Sequence, residues 1–457
     1  MLRTNAWKSW KDKEIEKVFQ FAEDYRLFIS KNKTERKFVD AVVELAKKSG
    51  FNDLSTKKEK LMPSDKIYKI NKGKQIILGI IGKQPLDQGA RFIVAHVDAP
   101  RLDLKPSPVY EDESMAFFKT CYYGGIKKYQ WITIPLALYG IAVLKTGKMK
   151  KVEVGDNESD PVFTITDLLP HLAKDQLKKT IEEGFPGENL NILAATIPSK
   201  EEEKEPVKKN IFSLLNKKYG ITEEDVISSE FEIVPAGPAR DLGIDRSMIL
   251  GYGQDDRVCA YTSFKALLEN SKPEKSIFCI LVDQEEIGSY GTTSAQSTFF
   301  QFFLEEVAEK TECKQPLRNI YENSRALSAD VSSLLDPGYR EAYDSKNSAR
   351  IGHGVCVERT TGGRGKAGST EPAAEYIAWI RKIFDENHVH WQPSEIGKVE
   401  QGGGGTVATF FARLNIPTID CGTGVLSMHA PFEVTSKADI YSTYLAYKTF
   451  YNAEQNA

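Results

Sequence analysis

The chain has 457 residues, too many for one ordinary hydrophobic core, so two domains are expected. Its composition, 41% hydrophobic and 27% charged, is that of a soluble globular protein, and a formal net charge of -3 gives no electrostatic case for nucleic acid or an anionic membrane surface as a partner. Six scattered cysteines with no CxxC pair suit free thiols, residues 1–19 lack the apolar core of a secretion signal, and no run nears the roughly 18 apolar residues of a membrane helix, so the expected location is the cytoplasm.

In chain order, Ile15, Val18, Phe19, Ala22, Tyr25 and Ile29 recur at steps of three or four and predict a helix over 12–30. A second helix runs from Thr34 to near Gly50. QIILGIIG (75–82) and RFIVAHVDAP (91–100) read as buried strands separated by a Pro- and Gly-containing turn. From about Ser107 to Pro235 short β-like pieces alternate with turns: MAFFKTCYYGG, WITIPLALYGIAVL, KVEVG and PVFTITDLL. This block, 107–236, reads as a β-rich domain inserted into an α/β domain made of 1–106 and 237–457. Within it the charged SKEEEKEPVKKN (199–210) reads as an exposed loop, and the apolar run Trp131–Leu144 suggests a subunit interface. After Gly237 the α/β pattern returns. DDRVCAYTSFKALLEN predicts a helix, SIFCILVD (276–283) a strand, and a helical stretch follows to Lys310. RALSAD (325–330) is a short strand ending in an acid, 373–387 and 406–415 are helical, 416–422 is a strand, and a helix from Ser436 closes the chain. No fixed-period repeat is present.

The chemistry concentrates where these elements end. The strand 276–283 is apolar throughout, as suits a strand covered on both faces, and two adjacent carboxylates, Glu285 and Glu286, follow it. In open α/β sheets ligands bind at that carboxyl edge. Neighbouring side chains in extended backbone point opposite ways, so one glutamate can hold a metal while the other faces substrate. His96 ends the 91–100 strand pattern, Asp255 and Asp256 open a helix, Asp330 ends RALSAD, and His429 follows the last strand. Singly, each has a plain explanation as a core histidine, a helix-capping aspartate or a loop acid. Together, two histidines and several carboxylates suit a pair of zinc, cobalt or manganese ions.

The ordered set AHVDAPR, YYGGI, PLALYG, GQDDRVCAY, DQEEIGS, SADVSS and SMHAPFE resembles the aspartyl aminopeptidase and vacuolar aminopeptidase I family of dinuclear-zinc exopeptidases over nearly the whole chain. The resemblance implies a mixed-sheet, zinc-exopeptidase-like α/β/α catalytic domain with an inserted β-rich dimerisation domain. It also implies large homo-oligomers, built from dimers and often dodecameric, and peptide substrates, with acidic N-terminal residues suggested by the family name. Carried over by residue, it makes Asp255 the carboxylate bridging two divalent metal ions, with His96 and Asp330 completing one and Glu286 and His429 the other. Glu285 becomes the general base, and Asp98, two residues after His96, a partner that holds the imidazole tautomer. Asp256 stays outside the metal shell as a helix cap or support. Rival readings are an N-acyl amino acid deacylase or other amidohydrolase on the same site, and a catalytically silent peptide-binding scaffold; retention of every ligand and of Glu285 argues against silence.

Other signals are weaker. GGRGKAGS (362–369) fails as a phosphate loop because Ala follows Lys366. Arg364 and Lys366 could meet a substrate carboxylate or a dimer partner, or simply be solvated. GGGG (402–405) permits close approach of a ligand or a flexible turn. His171 matches a Pro-His-Leu of the family and reads as structural, while His353, of the remaining His353, His388 and His390, is the best placed for substrate contact.

Overall fold

The computed structural model describes residues 3–201 and 204–453. The chain divides into two compact units, one of 1–98, 239–428 and 433–457, the other of 99–238 with 429–432. The first is mixed α/β. Its main sheet has nine strands in the order Asn52–Asp53, Lys66–Asn71, Gln75–Ile80, Ser276–Val282, Ala90–His96, Arg325–Ser328, Thr418–Gly422, Val355–Glu358, Trp391–Ser394. Ser276–Val282, Ala90–His96, Arg325–Ser328 and Thr418–Gly422 are mutually parallel neighbours, with Val282 beside His96 and Ser328 beside Val94.

Strand alternation builds two cores, one on each face of this sheet. Ile76, Leu78, Ile93, Ala95, Cys279 and Leu281 pack with the helices Asp12–Lys31, Glu35–Lys48, Gln254–Leu268, Ala374–Glu386 and Lys437–Asn452. Ile77, Phe92, Val94, Phe278 and Ile280 pack with Phe299–Lys310, Leu317–Asn323 and Ala408–Ala412. Being buried on both faces, the central strands are apolar without polar alternation, which is why they are conspicuous in the sequence. Each large side chain so buried contributes roughly 1.5–3 kcal/mol. The helix Asp12–Lys31 buries Val18, Ala22, Tyr25 and Ile29, the stripe its periodicity predicts. Glu35–Lys48 starts at Thr34, whose hydroxyl accepts the Lys37 N–H at 3.4 Å. A five-stranded sheet in the same unit includes Met248–Gly251 paired with Glu433–Ser436.

The second unit is an antiparallel sheet of six strands in the order Met149–Val154, Leu136–Val143, Ser229–Pro235, Arg101–Asp112, Met115–Tyr123, Ile192–Ala195. Two local expectations change here. The run 161–169 is not a strand; its ladder pairing is limited to isolated bridges at Phe163 and Thr164. The charged stretch 199–210 is a loop only in part, because Pro206 starts the helix Pro206–Tyr219 with Val207 buried; Glu202 and Glu203 lie outside the described residues. The apolar run Trp131–Leu144 is explained within one chain. Trp131, Leu136, Ala137, Tyr139 and Ala142 are at most 1% exposed, and Leu136–Val143 is paired on both edges, so its apolarity alone marks no interface.

Candidate metal centre

Three neighbouring parallel strands end on one edge and deliver His96, the Glu285–Glu286 pair and Asp330, while Asp255 comes from the start of Gln254–Leu268. His96 is buried, and its two ring nitrogens face different partners. Nδ1 lies 3.3 Å from Asp98 Oδ1 and 3.1 Å from the Asp98 carbonyl. Nε2 lies 3.3 Å from Asp255 Oδ1 and 4.0 Å from Asp330 Oδ1. A carboxylate on one nitrogen fixes the tautomer that leaves the other free to ligate. Burial opposes a charge on this imidazole, but hydrogen bonds to Asp255 and Asp98 outweigh it and raise its pKa.

His96, Asp255 and Asp330 each offer one ligand atom within 4.8 Å of the others, and Asp255 and Glu286 offer carboxylate oxygens within the same limit. Burial pushes the Asp330 carboxyl far up; the His96 charge opposes this, and the negative charges of Glu285, Asp255 and Asp420 add to it. A nitrogen and oxygen donor set crowded with like charges fits a divalent borderline cation, which would reverse that repulsion. No thiol joins the set: the buried Cys259 Sγ accepts the Thr423 N–H at 3.4 Å. All six cysteines are free.

The two glutamates are not in extended backbone. The strand ends at Val282, Gln284 takes a left-handed φ of 65°, and Glu285–Ile287 is a 3-10 turn, so alternation along a strand is not what separates the two side chains. Both backbone N–H groups of the pair donate to Asp98, Glu285 to Oδ1 and Glu286 to Oδ2, each at 3.2 Å. Behind the turn, Asp283 accepts the Gln284 N–H and the Thr293 hydroxyl, both at 2.8 Å. Asp256 is buried, and its Oδ2 accepts the His96 N–H at 3.3 Å, a support for the strand end. His429 belongs to the second unit; its φ is 65° and its Nδ1 lies 2.8 Å from the Gly125 carbonyl.

Sequence reasoning missed Glu433, the last residue of SMHAPFE. Its buried carboxylate accepts the N–H of Gln254 at 2.6 Å and of Asp255 at 3.1 Å, fixing the backbone that carries Asp255. It also missed Gly422, where a Cβ would stand 1.9 Å from the Asp330 carbonyl oxygen. The signal for both was position: an acid closing a motif and a glycine closing a strand.

The weaker signals resolve into structure. Lys366 pairs with Glu371 at 2.8 Å on the surface. Gly402 lets the backbone meet Ile396, whose oxygen a Cβ would approach to 1.7 Å, so the glycine run serves chain packing there. His171 and His388 are exposed, His390 packs edge-on against Trp10 at 5.2 Å, and His353 Nδ1 lies 3.0 Å from the Ile351 carbonyl.

Comparison with known proteins agrees along the whole chain. The family described as aminopeptidase I zinc metalloprotease (M18) matches residues 28–451. A probable M18 family aminopeptidase 1 of Clostridium acetobutylicum is 48% identical over 456 residues, covering 98% of each chain. The crystal structure of an M18 aminopeptidase from Thermotoga maritima superposes with a TM-score of 0.95 at 44% identity, covering 99% of each chain. The fold extends to a dodecameric structure from S. cerevisiae at a TM-score of 0.76 and 22% identity, covering 94% of this chain and 96% of that one.

Proposed function

This chain belongs to the aminopeptidase I family (M18) of zinc metalloproteases, and from that membership we propose which residue performs each part of its reaction. It is a metal-dependent aminopeptidase, a hydrolase of peptide bonds. The observation that carries the assignment is the divided environment of His96, with Asp98 on Nδ1 and Asp255 and Asp330 on Nε2.

His96, Asp255 and Asp330 would hold one divalent cation, and Glu286 and His429, with Asp255 shared, a second. Asp255 offers a carboxylate oxygen within 4.8 Å of ligand atoms of His96 and Asp330 and of Glu286, which supports its shared place. When bound, the cations supply Lewis-acid activation of water and of the scissile carbonyl. Asp98 keeps the His96 ring oriented and, through the amide groups of Glu285 and Glu286, sets the height of the turn that carries both acids. Glu285 is the uncoordinated carboxylate: it takes the proton of the attacking water and gives it to the leaving amine. The Glu285 charge is among those that push the Asp330 carboxyl up, which supports a position for it beside the ligand cluster. The metal is zinc in the family, and cobalt and manganese suit the same donors.

Substrates are peptides with a free N-terminus, acidic N-terminal residues among them. A panel of aminoacyl and N-acyl chromogenic substrates tests the reading: cleavage confined to N-acyl compounds would make the chain a deacylase. The chain works as a homo-oligomer in the cytoplasm, its dimer built through the 107–236 insert. The dodecamer among its structural neighbours supports the homo-oligomer, and the free thiols support the cytoplasm. A monodisperse monomer in light scattering at micromolar concentration would refute the first. No helix among the described residues is long and apolar enough to cross a membrane.

A further inference from the structure

At the opposite edge of the sheet, the same three parallel strands that carry the metal-side acids each begin with a cation. Lys275 precedes Ser276–Val282, Arg91 is the second residue of Ala90–His96, and Arg325 opens Arg325–Ser328. Arg325 is the register partner of Arg91, as is Ile277. Strand alternation puts all three on one face, the face of Ile93, Ile277 and Leu327. We propose that Arg91, Arg325 and Lys275 form a binding site for a small phosphate-type oxyanion, a site distinct from the metal centre.

Arg91 is 0% exposed, and among the described residues only one of its nitrogens has a hydrogen-bond partner: Nη2 donates to the Ala453 carbonyl at 3.2 Å. Its Nε and Nη1, and Nε of Arg325, are buried with no acceptor among the described residues. Buried guanidinium donors are ordinarily all engaged, and like charges side by side across a strand pair repel. Trp379 lies under both guanidinium groups, 5.2 Å from Arg91 and 5.4 Å from Arg325, with Tyr376 5.8 Å from Arg325. Those ring faces offset part of the charge but leave the in-plane N–H groups unanswered. Lys275, 7% exposed, spends one donor on the Gln88 carbonyl and has two more. Burial, followed by the charges of Arg91 and Arg325, pulls its ammonium down to about 8. Two guanidinium forks and an ammonium match an oxyanion with several acceptor oxygens. Trp379 and Ala453 also wall an open cavity of about 480 Å³. Lys382 and Lys448 line it with the carboxylate of Glu386.

The test is titration of the full-length, metal-loaded enzyme with inorganic phosphate, against chloride at matched ionic strength, for the wild type, Arg91→Met and Lys275→Met. Met keeps the apolar stem and removes the charge. A phosphate-specific binding phase is expected in the wild type, with a Kd raised about tenfold or more in both variants, the usual scale for losing a charge-assisted hydrogen bond. Phosphate held at the metal centre is read separately, as inhibition of peptide hydrolysis, which is expected to be the same in all three proteins. Identical isotherms in the three proteins, or equal binding of chloride, would overturn the site. If Arg91→Met does not fold, Lys275→Met decides alone by the same criterion.

Discussion

Asp98 joins the two parts of the chemistry that the sequence lists separately. One carboxylate oxygen faces the His96 imidazole, and the pair of oxygens receives the amides of both glutamates. In Asp98→Asn one acceptor becomes a donor, so one amide meets an N–H and the imidazole loses its charged partner. Metal affinity and kcat/KM are expected to fall about 10–100-fold, the common penalty for losing such an outer partner, as measured by competitive metal titration and peptide turnover. The adjacent glutamates separate by a different pair of readouts. Glu285→Gln keeps shape and removes the basic oxygen, so turnover drops by roughly 10²–10⁴ while metal content holds. Glu286→Gln removes a charged ligand, so metal content falls first and excess metal restores part of the rate. Normal turnover in Glu285→Gln would refute its role as base even with the metal site intact.

At the scale of elements, the site depends on how strand ends and a helix start are held. Glu433 ties the first amides of Gln254–Leu268 to the neighbouring sheet, and Thr435 and Gln254 continue the link through a hydroxyl–amide bond of 2.5 Å. Glu433→Ala strands two buried N–H donors, an expected loss of about 1–3 kcal/mol each at most. Urea unfolding measures that loss, and a weaker metal affinity is expected alongside it because Asp255 rides on the same backbone. A variant unchanged in both would show the cap to be dispensable. These elements differ in how plainly the sequence announces them. Ser276–Val282 and Ala90–His96 are legible because burial on two faces demands unbroken apolar runs. The 3-10 turn at Glu285–Ile287 is not, because it depends on Asp98, which follows a strand nearly two hundred positions away in sequence. The same holds for Glu433, whose task is set by tertiary contacts that no local pattern encodes. The run 199–210 misleads for the opposite reason: its charges look solvated, yet Pro206 is a favoured first residue of a helix.

At the scale of the whole molecule, the metal carries stability as well as catalysis. Without a cation, the Asp330 carboxyl sits in a buried place, beside an imidazole but also among the negative charges of Glu285, Asp255 and Asp420. Such a cluster ionises only at a cost that a divalent ion removes, so binding free energy of the ion is folding free energy. Dialysis against a chelator is therefore expected to abolish peptide hydrolysis and lower the thermal midpoint together. The size of the stability loss follows the ratio of free metal to its Kd, about 2.7 kcal/mol at a hundredfold excess. Zinc, cobalt or manganese should restore both properties, with about two ions bound per chain at saturation, the stoichiometry expected when Asp255 is shared by two sites. Asp255→Asn should then reduce both occupancies, whereas Asp330→Asn should reduce one and leave the other measurable. Full activity in protein shown by elemental analysis to hold no metal would end the mechanism, and a saturating ratio near one would remove the shared role of Asp255 while leaving His96 and Asp330 as ligands.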